Sequence, residues 1–360
     1  MTLDVFGHQP PTAAAHLTAV LVSSAVAGYG LKRNSLSRSG AALAMYERLC
    51  GAAHSCASNA LSVITLATCR SYISKPQNVP VAHAHRPLYC ILCRFDFLRV
   101  VGYLTSLAGF RFFAVLLFFF LSSSKLTKFG AKQKQKLEDG FVEGGRRTAM
   151  QVFCNGGVAT MLAYCYVVFV GGDQPCLDRA RFPLETAICA AFVGHYACCN
   201  GDTWASELGI LSKTPPRLIT TFKPVPAGTN GGISLLGTGA SVAGGASIGA
   251  VMWLAWLLRN LVYEQLGHHE LVRATDQCPP QWPLIVLGLV GGLVGSIVDS
   301  LLGALLQISF YDSKANKIVA AYNDSTKHIS GIDVFDNHQV NFLSAFVTSM
   351  WIAYVGLLLF

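Results

Sequence analysis

The sequence predicts an all-α protein, a polytopic transmembrane helical bundle of about six to eight spans that forms one domain over residues 1–360. Of the 360 residues, 52% are hydrophobic and 13% are charged, whereas an average soluble domain carries about 25% charged residues. Apolar runs near the roughly 20 residues that a helix needs to cross a bilayer recur along the chain. The net charge of +8 therefore concerns which side of the membrane holds the Lys and Arg, and no nucleic-acid partner is expected.

Seven apolar runs are strong candidates for spans, and one more is weaker. The strong ones are Ala13–Leu31, Val100–Leu121, Gln151–Val170, Leu184–Asn200, Gly231–Leu258, Pro283–Ile308 and Asn341–Phe360, and the weaker one is Gly51–Thr68. The N-terminus lacks the Arg-rich region of a signal or transit peptide, so we expect the first run to be a retained span. Several Cys residues lie inside apolar runs, where they act as small apolar side chains, so no disulfide framework is expected.

Basic loops indicate the orientation. GLKRNSLSR (Gly30–Arg38) and SSSKLTKFGAKQKQK (Ser122–Lys136) are both expected in the cytosol by the positive-inside rule. Two crossings must therefore lie between them: either Gly51–Thr68 is a span, or the segment from Ala41 onward forms a hairpin with Val100–Leu121. Counting onward places GDTWASELG and the loop Ser309–Val340 in the cytosol, and both termini outside. Three basic residues then fall on the cytosolic side: Lys213, Arg217 and Lys223.

GDTWASELG (Gly201–Gly209) carries two carboxylates at the end of an apolar run. One interpretation is a helix start with Asp202 as N-cap, but Ala205 occupies the capping-box position, so capping does not explain Glu207. On a regular helix the two acids lie about 140° apart, so they could share one ion only if a helix starts or breaks between them. Acids at the mouth of a span are costly and usually functional. Magnesium favours carboxylates that also leave room for water and phosphate oxygens, and we expect Asp202 and Glu207 to be functional.

The next segment, KTPPRLITTFKPVPAGTNGG (Lys213–Gly232), holds Lys223 at its centre and a glycine-rich turn before an apolar helix. Such a turn offers backbone N–H groups and a helix dipole to phosphate. It is not a Walker A loop, since the Gly-Lys-Ser/Thr ending is missing. The alternative is a tight turn into a span. The predicted phosphate-binding residues are Gly228, Thr229, Asn230, Gly231 and Gly232.

Asp299 lies within the apolar run GSIVDSLLGALLQ (Gly295–Gln307). An acid inside a span normally faces the bundle interior or a cavity, and the alternative is a buried Asp satisfied by Ser or Asn neighbours. The glycine-rich stretches GASIG (Gly245–Gly249) and GLVGG (Gly288–Gly292) indicate close helix packing.

Polar residues also mark the expected cytosolic starts of two helices. Arg147, Gln151 and Asn155 share one helix face, and DNHQVN (Asp336–Asn341) precedes the last span. Both groups fit the lining of the same pocket, and both fit ordinary capping and interface polarity equally well.

With these residues in hand, the chain resembles the transmembrane protein 19 family, which includes the phytyl-phosphate kinases and is distantly similar to dolichol kinase and phosphatidate cytidylyltransferase, which use CTP. The matching segments, in order, are LKRNSLSRSGA, FFFLSSSKLTK, EGGRRTAMQVFCNG, GDTWASELG, LSKTPPRLITT, GTNGG, QWPLIVLG, GSIVDSLLGA and DNHQVNFLS.

The resemblance implies a kinase that transfers a phosphoryl group from CTP or another nucleoside triphosphate to a phytyl or other isoprenoid monophosphate. It assigns Asp202 and Glu207 to Mg²⁺, Lys223 to a phosphate, and Asp299 to a second metal ligand or a polar anchor. The substrate tail would lie in the lipid bilayer between spans. Catalysis would then be positioning and charge neutralisation. We expect the protein in the endoplasmic reticulum with its active site facing the cytosol. The alternatives are a transporter and a non-catalytic membrane scaffold.

Residues Met45–Arg99 read differently from the rest. In the family, a segment similar to SGAALA (Ser39–Ala44) is followed almost directly by one similar to VVGYLTSLAGFRFF (Val100–Phe113). Here about 55 residues lie between them. We interpret this segment as an atypical insertion, a retained intron or a gene-model error. Its cysteines and histidines suggest a zinc site, but their spacing matches no common finger, and incidental residues are the alternative. They are His83, His85, Cys90 and Cys93.

Overall fold

The computed structural model describes residues 101–129, 149–172, 174–319 and 322–360. Within them the protein is a helical bundle, which confirms the predicted fold class. The helices are α1 (Phe110–Phe129), α2 (Ala149–Cys165, continued by a π-helical turn, Tyr166–Val170), α3 (Pro183–Gly209), α4 (Leu235–Gln265), α5 (His269–Thr275), α6 (Pro283–Leu306) and α7 (Asn337–Leu359). The sequence-based expectations for Ala13–Leu31, Gly51–Thr68, Met45–Arg99 with its zinc-site alternative, and Arg147 lie outside the described residues.

Helix α3 is the centre of the bundle. Among the described helices, α1, α2 with its π-helical turn, α4, α6 and α7 are long and apolar enough to cross a membrane, and each of these five packs against α3. Most α3 residues from Glu185 to Gly201 are buried. Because protein rather than lipid surrounds it, α3 tolerates polar side chains such as His195 and Asn200 in its interior.

The predicted span Val100–Leu121 is in fact bent at Gly109, where φ is +126°. Residues 101–108 are helical before this bend. The Val101 side chain lies 3.7 Å from the Cβ position of Gly156 in the middle of α2. Arg111 Nη2, just after the bend, is 3.2 Å from the Tyr166 hydroxyl at the end of α2. The predicted span is therefore two helical segments joined at Gly109, and the hairpin alternative, whose first arm begins at Ala41, lies partly outside the described residues.

Several predicted span ends were wrong. Helix α3 continues past Asn200 to Gly209, so GDTWASELG is helical, and α1 continues through Ser122 to Phe129, which we had expected to be loop. Helix α4 begins at Leu235 rather than Gly231, because Gly232–Ile233 form a short strand. The loss of apolar character thus marks where these helices leave the lipid, and does not mark where they end.

The glycine-rich stretches allow α3, α4 and α6 to touch backbone to backbone, as predicted. A Cβ on Gly201 would lie 2.9 Å from the Cα of Gly292, and one on Gly245 would lie 2.7 Å from the same atom. Real Cβ atoms do not approach other atoms so closely, so these positions require the smallest residue.

Two small antiparallel sheets lie at the end of the bundle where α3 and α6 end. β1 (Arg217–Leu218) pairs with β2 (Gly232–Ile233). In the second sheet, β3 (Ser309–Asp312) lies between β4 (Lys317–Val319) and β5 (Thr326–Ser330). The sequence predicted only a loop over Ser309–Val340.

Asp312 closes the second sheet. Its Oδ1 accepts from the Lys314 amide at 2.9 Å, from the Ser325 hydroxyl at 2.9 Å and from the Ala315 amide at 3.3 Å. The hydrogen bonds from the Lys314 amide and then the Ser325 hydroxyl hold the pKa of Asp312 below its usual value, because they stabilise the carboxylate.

The opposite end of the bundle is tied by a disulfide between Cys176 and Cys278, 102 residues apart in sequence. Around it, Gln281 Nε2 donates to Leu177 O at 2.9 Å, and Arg259 Nη2 donates to Pro175 O at 2.7 Å. The sequence analysis expected no disulfide framework and missed this disulfide, because sequence alone does not show that these two loops meet.

Candidate functional site

A cavity of about 1160 Å³ opens at the end of the bundle opposite the disulfide. Its wall is built from the ends of α3 and α6, the starts of α2, α4 and α7, the segment 212–216 and the glycine turn before β2. Three predicted residues, Asp202, Glu207 and Asp299, line it together. The topology of the bundle thus brings to one place acids that are up to about a hundred residues apart in the chain.

Asp202 and Glu207 lie on one unbroken helix, so Asp202 is not an N-cap. Asp202 lies in the last third of α3, about 29 Å from the start of that helix at Pro183, at a rise of 1.5 Å per residue. Glu207 is buried. The break in the helix that would let these two acids share one ion is not present, because α3 is regular between them.

Asp299 is the acid that faces Asp202. The two carboxylates interact electrostatically, α6 against α3. The Ser344 hydroxyl of α7 donates to Asp299 Oδ2 at 3.0 Å. With its amide nitrogen turned toward this acid, Asn341 donates to the same oxygen at 3.3 Å. Both interpretations of Asp299 therefore describe it: Ser and Asn neighbours fix its carboxylate, and it lines a cavity.

Among the described residues, the lysine that lines the cavity is Lys213, and the predicted Lys223 does not line it. Lys223 is exposed. It lies in a tight turn that β1 directs away from the cavity, where its carbonyl accepts from the Leu218 amide at 3.0 Å. The sequence offered two lysines ten residues apart, and only the backbone path between them distinguishes which one reaches the cavity.

The glycine turn predicted to bind phosphate lines the cavity, but much of its backbone is already bonded. The amides of Thr229 and Gly232 donate to Pro226 O and Thr229 O, at 3.3 and 2.9 Å. The Asn230 amide donates to Ser309 Oγ at 3.2 Å. Gly231 has φ +77°, and a Cβ there would lie 2.6 Å from Ser300 O of α6. The turn therefore shapes the wall by close packing, and the tight-turn alternative explains most of its amides.

The two polar helix starts both contribute to the wall. Gln151 and Asn155 of α2 line the cavity, as do Asn337 and Asn341 of α7. Asp336 forms a capping box at the start of α7, so capping and pocket lining are divided between neighbouring residues.

A polar centre that sequence analysis missed lies beneath the cavity at Asn200, which is fully buried. Its Oδ1 accepts from the Ser122 hydroxyl at 2.8 Å, and its Nδ2 donates to Gly244 O at 2.8 Å. The residue thus joins α1, α3 and α4 two positions before Asp202. A single Asn in an apolar run was the available signal, and it was read only as the end of a span.

The oxygen-rich wall fits magnesium better than a softer metal. Mg²⁺ is held through one or two carboxylates together with water and substrate phosphates. Asp202 and Asp299 supply such carboxylates on facing helices. Within the described ranges, no group of three or more His, Cys, Asp or Glu side chains could hold a metal by itself. The ion would therefore need ligands from a phosphate.

Comparison with known proteins gives one family match and several relatives. The sequence pattern of a family described as "Integral membrane protein DUF92" matches residues 98–349. A protein of Arabidopsis thaliana named Protein PGR is 44% identical over 242 residues, which cover 67% of this chain and 80% of that protein. No solved structure matches the chain.

Two uncharacterised membrane proteins of microorganisms are also similar. The one from Methanocaldococcus jannaschii is 31% identical over 156 residues, 43% of this chain and 58% of that protein. The one from Synechocystis is 30% identical over 140 residues, 39% of this chain and 50% of that protein.

Proposed function

Because this chain belongs to the DUF92 family of integral membrane proteins, we propose that it is a membrane phosphotransferase acting on an isoprenoid or phytyl monophosphate. The terminal phosphoryl group of CTP or another nucleoside triphosphate would pass to a phosphate oxygen of the lipid, giving the isoprenoid diphosphate and a nucleoside diphosphate. The resemblance to the transmembrane protein 19 family suggested this reaction, and the cavity supports it.

The observation that carries the proposal is the shared cavity of Asp202, Glu207, Asp299 and Lys213. Among the described lining residues, three carboxylates stand against this one lysine, so a bare phosphate would be repelled. A phosphate carried with Mg²⁺ would be attracted. The volume of about 1160 Å³ exceeds the 300–1,000 Å³ typical of pockets for one small ligand, which suits two substrates side by side.

Each side chain then has a role. Asp202 and Asp299 would hold Mg²⁺, which when bound neutralises charge on the transferring phosphoryl group. Ser344 and Asn341 orient the Asp299 carboxylate, and Lys213 would bind a phosphate oxygen. Glu207, buried in the wall, would be a third acid beside a metal–nucleotide complex.

The two ends of the bundle support a cytosolic site. Disulfides persist in oxidising compartments such as the lumen of the endoplasmic reticulum or the cell exterior, and Cys176–Cys278 lies opposite the cavity. The cavity end also holds most of the exposed basic residues of the described segments, as the positive-inside rule expects for the cytosol. They include Lys125, Lys128, Lys213, Arg217, Lys223, Lys314 and Lys327. We infer that the cavity faces the cytosol, and the endoplasmic reticulum stays our expectation for the organelle.

Transport is the alternative function, and glycine-broken helices together with Asp299 inside a span would fit it. The glycines of α4 and α6 are in tight backbone contact, so packing accounts for them without a moving gate. The kinase proposal is therefore the stronger of the two.

The deciding experiment is transfer of labelled phosphate from γ-labelled CTP to phytyl or geranylgeranyl monophosphate by the detergent-solubilised full chain. We expect magnesium-dependent formation of the diphosphate. Asp202→Asn and Asp299→Asn should each reduce the rate about a hundredfold or more, the scale of losing one preorganised charge at a transferring group.

Glu264→Gln is the matched control, an acid-to-amide change at an exposed residue near the opposite end of α4, and it should leave the rate unchanged. Gel filtration and an intact Cys176–Cys278 bond would show that each variant is folded. If folded wild-type protein transfers no phosphate from CTP or other nucleoside triphosphates, the kinase proposal is wrong, and flux of the lipid phosphate in vesicles becomes the test for transport.

A further inference from the structure

The tight turn Leu218–Lys223 presents an aromatic ring to the outside beside the cavity. Phe222 is 64% exposed, although phenylalanine side chains are usually buried. Its φ is +55°, a left-handed conformation that is an outlier for a bulky residue. Strained residues of this kind persist only where surrounding contacts enforce them, and they cluster at functional positions.

The contacts that enforce this turn, which we name the Phe222 turn, are unusually complete. The Phe222 amide donates to Leu218 O at 2.7 Å, and the Leu218 amide donates to Lys223 O at 3.0 Å. Arg217 Nη1 donates to the Phe222 carbonyl at 2.8 Å. Leu218 is buried beneath them. The ring is therefore held outward by a fixed backbone, so it loses little freedom when it meets a partner.

The position of the Phe222 turn points to the membrane surface. β1 carries the turn and pairs with β2, and α4 begins two residues after β2. Leu235 and Leu236 in the first turn of α4 are 93% and 46% exposed, as expected where a membrane helix meets lipid. The headgroup layer extends roughly 5–8 Å beyond the hydrocarbon on each side. Because β1 pairs with β2, the Phe222 turn is connected closely to this helix start, and we infer that it is within reach of that layer.

The charges beside the ring indicate the kind of lipid. Segment 213–232 contains Lys213, Arg217 and Lys223 and no Asp or Glu. Arg217 and Lys223 flank Phe222 and are exposed. Basic residues at a membrane surface are attracted to anionic lipids, and an apolar ring between them inserts at the boundary of headgroups and acyl chains.

We propose that the Phe222 turn is a membrane-surface anchor that inserts Phe222 into the leaflet beside the cavity and binds anionic phospholipid headgroups through Arg217 and Lys223. This role does not depend on the chemistry in the cavity. It gives Lys223 a function that fits its exposed position, and it would hold the mouth of the cavity at the level where a lipid phosphate lies.

The test places the photoreactive p-benzoylphenylalanine at position 222 of the full chain in vesicles of zwitterionic lipid with a fraction of anionic phospholipid that carries a clickable tail. The matched control has the same residue at Ala315, which is exposed in the turn between β3 and β4. After irradiation, lipid adduct at position 222 should exceed that at position 315 several-fold. It should fall several-fold when Lys223→Gln is added or when bulk anionic lipid and salt compete for the surface.

Adduct at position 222 no greater than at position 315 would overturn the anchor. Adduct that is insensitive to Lys223→Gln, to competing anionic lipid and to salt would overturn the headgroup contact. Cross-linking of position 222 to a protein in native membranes, in place of lipid, would assign the turn to a protein partner instead.

Discussion

The ion pair of Arg111 and Glu185 shows how single side chains hold the bundle together inside the membrane. Arg111 Nη2 lies 2.8 Å from Glu185 Oε1, with the two side chains 2% and 1% exposed. The Tyr166 hydroxyl lies 3.2 Å from the same nitrogen and donates to the same carboxylate at 3.3 Å. The group joins α1, the end of α2 and α3 at the end of the bundle far from the cavity.

Removing one member of this pair should be more harmful than removing both. We expect Glu185→Ala to lower the free energy of unfolding by about 3–5 kcal/mol, because the Arg111 charge stays buried without this carboxylate. Replacing both residues, Arg111→Met with Glu185→Leu, should recover most of the loss. Denaturant titration in detergent measures it, with exposed Glu264→Gln as a control within about 0.5 kcal/mol of wild type. A double variant as unstable as Glu185→Ala would contradict the argument.

At the level of single residues, sequence analysis identified the charged side chains that lie within or beside apolar runs. Asp202, Glu207 and Asp299 were found because a carboxylate near a span needs a reason. Choosing Lys213 over Lys223 depends on a turn whose direction no local pattern encodes. Ser344 is an ordinary hydroxyl in the sequence, and only the approach of α7 to α6 gives it Asp299 as a partner.

Among the described helices, α4 and α6 pack so closely that there is no space for a side chain on the glycines between them. Gly245 and Gly249, one helical turn apart on α4, face the backbone of α6. Gly239 on the same helix has no atom within 4 Å of its Cβ position. The two kinds of glycine therefore offer a matched comparison within one helix.

Gly245→Ala should destabilise the protein by about 1–3 kcal/mol, because the added methyl group forces α4 away from α6. Gly239→Ala should be neutral or stabilising by up to about 1 kcal/mol, since alanine is the better helix former. Thermal or denaturant unfolding of the two variants in the same detergent is the measurement. Equal effects would mean that the helices do not pack at the distance described.

The sheet β3–β5 should be sensitive to acid through Asp312. Because the folded state lowers its pKa, the carboxylate stabilises the sheet fully above the unfolded value of about 3.9. That contribution is lost as the pH falls through the lower folded pKa. At neutral pH, Asp312→Asn should therefore speed tryptic cleavage after Lys314 and Lys317. With pepsin near pH 2 the variant and the wild type should converge.

Exposed Asp333→Asn serves as the control for this experiment and should leave the tryptic rate unchanged. A difference between Asp312→Asn and wild type that persisted undiminished at pH 2 would show that the carboxylate charge is not the cause.

The elements were predictable to different degrees for physical reasons. Long apolar runs located α2, α3, α4, α6 and α7, because the thickness of the bilayer dictates them. Their ends were less predictable, since hydrogen bonding can carry a helix beyond the lipid, as in α3. The strands of three to five residues in Ser309–Ser330 were missed because so short a segment shows no clear alternation of polar and apolar side chains.

For the whole molecule, the orientation in the membrane is the property that most affects function. If the cavity faces the cytosol, the sequon Asn323-Asp324-Ser325 is never exposed to the glycosylation enzymes of the lumen. The opposite end of the bundle offers a site of comparison: Arg273→Asn makes residues 273–275 a sequon on exposed α5.

In microsomes, we expect Asn323 to stay unmodified and the Arg273→Asn variant to gain a glycan. A shift in mass that endoglycosidase reverses is the measurement, and removing Thr275 from the variant should abolish it. A glycan on Asn323 in the wild-type protein would reverse the orientation, and with it the cytosolic supply of nucleotide on which the kinase proposal depends.

The disulfide between Cys176 and Cys278 also has a consequence for the order in which the helices are inserted and the bond is formed. If the cavity faces the cytosol, the intervening α3 and α4 cross the membrane as a pair, and Cys278 reaches the oxidising side only after both have been inserted. Helix α3 has too many polar residues to remain in lipid without its neighbours, and it must therefore be enclosed during synthesis. Covalent closure across 102 residues is thus a late event in biogenesis. A reduced Cys176 would mark nascent or misrouted chains, and the oxidised form would mark those that have completed insertion.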